Sequence, residues 1–177
     1  MIYFLRHGET DYNRHSLWMG RLDQPLNAAG VAQAQQTAER LAQMSLGQII
    51  TSPLSRAQDT ATIIANRHPD NPPVKVADWL IERDYGRFEG LKKTPANRAA
   101  IENDLTTETM AELFTRLAPI RHIDETKSDT LIISHSGIYR CLVSSYGYTP
   151  DPDKSTLSNA EFVTITPPQL TQNQQNH

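Results

Sequence analysis

The chain has 177 residues, with 17 Lys plus Arg against 20 Asp plus Glu, a formal charge of −3 and 38% hydrophobic residues. That length suits one domain with a real core, the near-balanced charge argues against a nucleic-acid binder, and the eleven prolines are dispersed rather than gathered in a low-complexity tract. The single cysteine, Cys141, excludes an internal disulfide, and the apolar run at residues 2–5 is too short for a signal peptide or a membrane span, so a cytoplasmic enzyme or a small binding domain is expected.

Residues 2–5 read as a short buried strand that ends at Arg6-His7-Gly8. From Val31, apolar residues recur at Ala34, Ala38, Leu41 and Ala42, the spacing of an amphipathic helix, with Asn27 as its cap and Gly30 weakening its first turn. Residues 48–52 form a second strand. A helix start follows, with Ser52 expected as N-cap and Pro53 in the first position, running through Ala61 and Ile64 to Pro69. Residues 74–82 read as a third strand. Residues 130–135 are the clearest buried strand and lead through Gly137 into a helix past Leu142, where Cys141 is expected as a small buried apolar residue. Residues 160–165 alternate like an edge or near-edge strand. Between them, residues 91–129 are a short, partly helical insert with a solvated outer face and one amphipathic helix carrying Met110, Leu113, Phe114 and Leu117. The alternation of strands and helices predicts a three-layer α/β/α sandwich around a largely parallel sheet, one domain over residues 1–168 with a frayed polar tail at 169–177.

Two histidines stand at strand ends. His7 follows the first strand and His135 the last strongly buried one, and in open α/β sheets ligands bind outside the carboxyl ends of the strands. A lone strand-end histidine is usually structural; two, each followed by a Gly or Ser-Gly turn, weigh considerably against that reading. Arg6 adjoins His7, and Arg56 sits in the first turn of a helix, where free N–H groups and the helix dipole favour an anion. The plain alternative for Arg56 is a surface salt bridge with Asp59 or Glu82. Glu82 is the natural general acid, a carboxyl able to protonate a leaving oxygen. Around it Arg83, Arg87, Lys92, Lys93 and Arg98 outweigh Asp84 and Glu89, which suggests a basic rim for an anionic substrate. No His-x-x-x-His or Cys-x-x-Cys pair supports a zinc site.

These segments carry a resemblance. Leu5-Arg6-His7-Gly8-Glu9-Thr10 with Asn13 and Gly20-Arg21-Leu22-Asp23, Ser52-Pro53-Leu54-Ser55-Arg56, Glu82-Arg83-Asp84-Tyr85-Gly86, and Ser134-His135-Ser136-Gly137 resemble, in order, four motifs of the histidine phosphatase superfamily, the phosphoglycerate-mutase-like proteins. The resemblance implies a phosphohistidine mechanism without metal or cofactor. His7 would carry the phosphoryl group, Arg6, Arg56 and His135 would hold its oxygens, and Glu82 would act as general acid and base. It also implies contacts to substrate from Gly8, Asn13, Met19, Gly20, Arg21, Tyr85, Lys93, Ser136 and Gly137. The superfamily holds hydrolases and mutases. The unbroken motif at Glu82 and the position of Lys93 lean toward a mutase, whereas the short insert, its lack of an Arg-Arg pair, and Met19 lean toward a phosphatase. The favoured expectation is a phosphomonoester hydrolase acting on a small phosphorylated metabolite. The alternatives are a phosphoglycerate mutase, a phosphoprotein phosphatase and a non-catalytic phospho-ligand binder.

Overall fold

The computed structural model describes residues 1–124 and 128–168, so the tail expected to fray lies outside the described residues. Among the described residues, six strands form one sheet: β1 (Ile2–Arg6), β2 (Gln48–Thr51), β3 (Val74–Val76), β4 (Thr130–Ser134), β5 (Thr149–Asp151) and β6 (Phe162–Thr166). Their spatial order is β3-β2-β4-β1-β6-β5. The first four in that order run parallel, while β6 pairs antiparallel with β1 and β5 with β6. Residues 160–165 thus belong to a near-edge strand, and the edge beyond it is Thr149–Asp151, whose Pro150 fits an edge position.

Six helices accompany the sheet among these residues: α1 (Asp11–Arg14), α2 (Ala28–Leu41), α3 (Ser55–Arg67), α4 (Pro95–Ile101), α5 (Met110–Arg116) and α6 (Ser136–Ser144). The pleat explains the layering, because alternate strand residues face opposite sides. Tyr3 and Leu5 of β1, with Leu131 and Ile133 of β4, pack against Ala38 and Leu41 of α2 and Ala57, Ala61 and Ile64 of α3. Ile2 and Phe4, with Ile132, face the other way onto Leu113 of α5 and Ile138, Tyr139, Cys141 and Leu142 of α6. The three expected layers are present, and Cys141 is fully buried.

Asn27 caps α2, its side chain accepting from Gly30 N. Gly30 is less a weakness than a requirement, because a Cβ there would meet Glu9 O at 2.1 Å; that near contact seats the first turn of α2 on the loop after β1.

Two expectations are corrected. The strand at residues 74–82 covers only Val74–Val76; the chain then turns through a 3-10 helix at Asp78–Leu80 and delivers Glu82 on a loop. The helix after β2 begins at Ser55 with Leu54 as N-cap, because the Ser52 hydroxyl lies 2.7 Å from the His135 ring and only bends back to accept from Leu54 N. The amphipathic helix expected in the insert is α5, which turns its apolar face inward. Leu113, Leu117 and Ile120 enter the core, and Ile101 of α4 joins Trp18, Tyr85 and Phe88 in a separate apolar cluster.

Candidate active site

The register of the parallel strands assembles the centre of the site. Arg6 pairs with Ser134 and Thr51 with Ile133, so the residues that follow, His7, Ser52 and His135, emerge side by side at one sheet edge. Backbone bonds extend the ladder, His7 N donating to Ser134 O at 3.0 Å and Ser52 N to Ile133 O at 3.1 Å. The His7 and His135 rings lie 5.1 Å apart, both buried.

The hydrogen bonds fix what each ring presents. His7 Nδ1 lies 2.7 Å from Gly8 O, which can only accept, so Nδ1 holds the proton and Nε2 presents a lone pair. Burial first, then the Arg56 and Arg6 charges, hold the His7 pKa well below its usual value, and the ring stays neutral. His135 is depressed in the same way by burial and Arg56. Ser52 Oγ already accepts from Leu54 N, so its own proton is available to His135 Nε2. On that assignment the His135 proton sits on Nδ1, a buried atom with no partner among the described residues.

Two guanidinium groups flank the histidines. Arg56 is 1% exposed and donates to Gly20 O at 2.7 Å and Leu22 O at 2.8 Å, which excludes the surface salt bridge weighed for it. Arg6 Nη1 donates to Leu157 O at 2.8 Å. In both, Nε is buried and without a partner among the described residues. Burial lowers the Arg56 pKa to about 10, still far above neutrality. Lys93 is brought down to about 8 by burial and then by Arg6. A small pocket is lined by Arg6, His7, Asn13, Trp18, Met19, Gly20, Arg56, Glu82, Tyr85, Lys93 and Ser136. Buried N–H groups rarely go without an acceptor, so unpaired donors grouped around one pocket point to an anion.

The Glu82 carboxyl is held from two sides. Arg83 N donates to Oε1 at 2.8 Å and Gly137 N, in the first turn of α6, to Oε2 at 3.1 Å. Gly137 is the residue this approach requires, since a Cβ there would stand 2.3 Å from Glu82 Oε1 and 3.0 Å from Tyr85 Oη. Arg116 of α5 fastens the loop from the far side. Its Nη1 donates to Trp79 O at 2.8 Å and Ile81 O at 2.9 Å, while Nε and Nη2 grip the Glu108 carboxylate at 2.7 and 2.8 Å.

Most residues singled out from the sequence line the pocket; His135 is not among them and stands next to His7, its ring 5.1 Å away. Gly8 lies beneath it as acceptor for His7, and Gly137 lies beside Glu82. Arg21 is a correction: its side chain turns to Glu82 O, Asp84 and Glu108 and does not line the pocket, because those acceptors outcompete an open position. The basic rim is also reduced, since Arg83 is paired with Glu102 and Arg87 with Asp104. Sequence reasoning missed Asn159, whose amide donates to His7 O, Gly8 O and Asn13 Oδ1 and ties the nucleophile loop to the segment before β6. It also missed Arg116 and the bond from Ser52 to His135. Only the Ser52 bond had a signal, a serine at the end of the strand that neighbours the one before His135.

Among the described residues no cluster of His, Cys, Asp and Glu is suited to a metal ion, and no helix is long and apolar enough to cross a membrane.

A mixed, largely parallel sheet with two neutral histidines, one buried arginine and one half-buried arginine at one edge defines an α/β protein with a cation-lined pocket beside an imidazole. A model of the histidine phosphatase superfamily (branch 1) matches residues 2–169, and the chain belongs to that superfamily. It is 35% identical over 164 residues to the uncharacterized phosphatase PhoE of Bacillus subtilis (strain 168), covering 90% of this chain and 84% of that protein. It is 34% identical over 158 residues to the probable phosphoglycerate mutase GpmB of Enterobacter sp. (strain 638), covering 81% and 73%. Among solved structures, a mycobacterial glucosyl-3-phosphoglycerate phosphatase complexed with VO3 superposes with a TM-score of 0.75 at 25% identity, over 94% of this chain and 96% of that one. A phosphoglycerate mutase from Thermus thermophilus, at 24% identity and a TM-score of 0.71 over 91% of this chain and 90% of that one, shares the fold.

Proposed function

We propose that the protein is a metal-independent phosphomonoester hydrolase that works through a phosphohistidine on His7. The observation that carries this is the lone pair of His7 Nε2, fixed by the Nδ1 bond to Gly8, beside the unpaired buried nitrogens of Arg6, Arg56 and His135. A phosphoryl group in the pocket gives those nitrogens their acceptors. His7 Nε2 attacks phosphorus in line, the P–O ester bond breaks, and the leaving oxygen takes the proton of the Glu82 carboxyl. Water then attacks phosphorus, Glu82 takes its proton, the P–N bond breaks, and inorganic phosphate leaves from neutral His7. Charge spreading over the equatorial oxygens meets Arg6, Arg56 and the His135 N–H, which are oriented before the reaction begins. A small phosphorylated metabolite is the expected substrate, in line with relatives named phosphatase and glucosyl-3-phosphoglycerate phosphatase.

Lys93, half-buried in the pocket wall, is the feature that favours a phosphoglycerate mutase instead. Scoring both phosphate release and phosphoglycerate interconversion separates the readings. The mechanism itself is tested by rapid quench and by two variants. His7→Ala should yield no phosphoenzyme and no turnover of any ester. Glu82→Gln should lose about 10²–10⁴-fold on alkyl phosphates, the usual worth of general acid catalysis, and far less on aryl phosphates whose leaving group needs little protonation. Equal losses on both ester types would remove Glu82 from its role as the acid.

A further inference from the structure

Next to the phosphate pocket lies a second, larger cavity of about 340 Å3, lined by Trp18, Tyr85, Ile101, Met110, Arg98 and Arg140 among others. It shares Trp18 and Tyr85 with the phosphate pocket, and Gly137, which holds Glu82, is on its wall. The proton donor therefore stands at the boundary between the two spaces. An ester whose phosphoryl group occupies the first has its leaving oxygen at that boundary and the rest of its leaving group in the second.

The lining states what that group is. Trp18, Tyr85, Ile101 and Met110 offer apolar surface. Arg83 brings no free charge, because Glu102 takes it with two bonds at 2.9 and 3.2 Å. The two other cations are different. Arg140 has only the Tyr85 hydroxyl at 3.4 Å, and Arg98 lies over the Trp18 ring, 5.2 Å from its centroid; neither has a carboxylate partner among the described residues. Trp18 lines both spaces and carries the apolar wall from one into the other.

We infer that this cavity is the leaving-group subsite and that it selects phosphomonoesters whose leaving group has an apolar body ending in a second anionic group, held by Arg140 with Arg98 at the rim. The inference rests on the hydrolase reading above.

The test compares two esters of similar size, 4-carboxyphenyl phosphate and its neutral counterpart 4-carbamoylphenyl phosphate, at low ionic strength. The wild-type enzyme should favour the carboxylate in kcat/KM by about tenfold or more, the scale of one well-placed charge-assisted hydrogen bond. Arg140→Gln should bring that ratio close to one. Equal use of the two esters by the wild type overturns the inference even if Arg140→Gln does not fold, as does a preference that survives in that variant. Phosphoenzyme trapped from phenyl phosphate separates the two levels: present with no preference, only the subsite fails; absent altogether, the hydrolase reading fails and the subsite with it.

Discussion

Replacing Gly137 with Ala separates the stability of this protein from its chemistry. The added methyl would sit 2.3 Å from Glu82 Oε1 and 3.0 Å from Tyr85 Oη, so the carboxyl has to withdraw by about 1 Å to reach ordinary contact distance. Withdrawal stretches the bond from Gly137 N, now 3.1 Å. A hydrogen bond of this kind is worth about 0.5–1.5 kcal/mol, while alanine in a helix returns about 0.5–1 kcal/mol against glycine. The net cost is therefore at most about 1 kcal/mol, or a Tm lower by less than about 4 °C for a chain of this size. The rate suffers more, because a misplacement of about 1 Å costs on the order of 10²-fold. Calorimetry paired with steady-state kinetics on one alkyl and one aryl phosphate reads both effects. The expected outcome is a folded variant with alkyl phosphatase activity down about 10²-fold and aryl activity reduced much less. An unchanged alkyl rate would show that Glu82 does not need the place this glycine leaves for it.

Arg116→Gln, which frees the Trp79 and Ile81 carbonyls and leaves Glu108 only its longer ion pair with Arg21, should lower kcat on alkyl phosphates about tenfold or more while phosphoenzyme still forms from aryl phosphates; loss of both together would make Arg116 merely structural. Acid should destabilise the protein early. The folded pKa values of His7 and His135 lie below the unfolded value of 6.5, so the unfolded chain binds more protons once the pH drops beneath it. Stability is then full above about pH 6.5 and drains below it by up to about 1.4 kcal/mol per pH unit for each ring. Urea titrations at about pH 7.5, 6.5 and 5.5 measure this, and a flat profile between the last two would contradict burial of the neutral rings.

The largely parallel sheet and its two histidines were legible because they depend on local pattern. A buried strand that ends at His7 and another at His135 are visible as apolar runs followed by a glycine turn, and sheet register brings such ends together. The limits are equally physical. The apparent strand through residues 74–82 stops after Val76 because Asp78–Leu80 turns to carry Glu82 toward α6, a destination set by Gly137 far along the chain. Ser52 looked like a helix cap because a Ser-Pro pair usually is one, but the neighbouring imidazole takes its hydroxyl. Arg21 has the chemistry of a phosphate ligand and loses that place to nearby acceptors. Asn159, Arg116 and Trp18 act through contacts that no local spacing encodes.

The two chemical partners of the proposed reaction stand on different foundations. His7 is anchored in the ladder between β1 and β4, whereas Glu82 rides on a loop pinned by Arg116 and Glu108 of the insert. Sheet centres open only with the whole fold, while peripheral helices open at lower free energy. Warming should therefore uncouple the partners before the protein melts. In that interval the enzyme would still accept a phosphoryl group from an activated ester and yet fail on an ordinary alcohol phosphate, so the substrate range itself becomes a thermometer of how firmly the insert is docked.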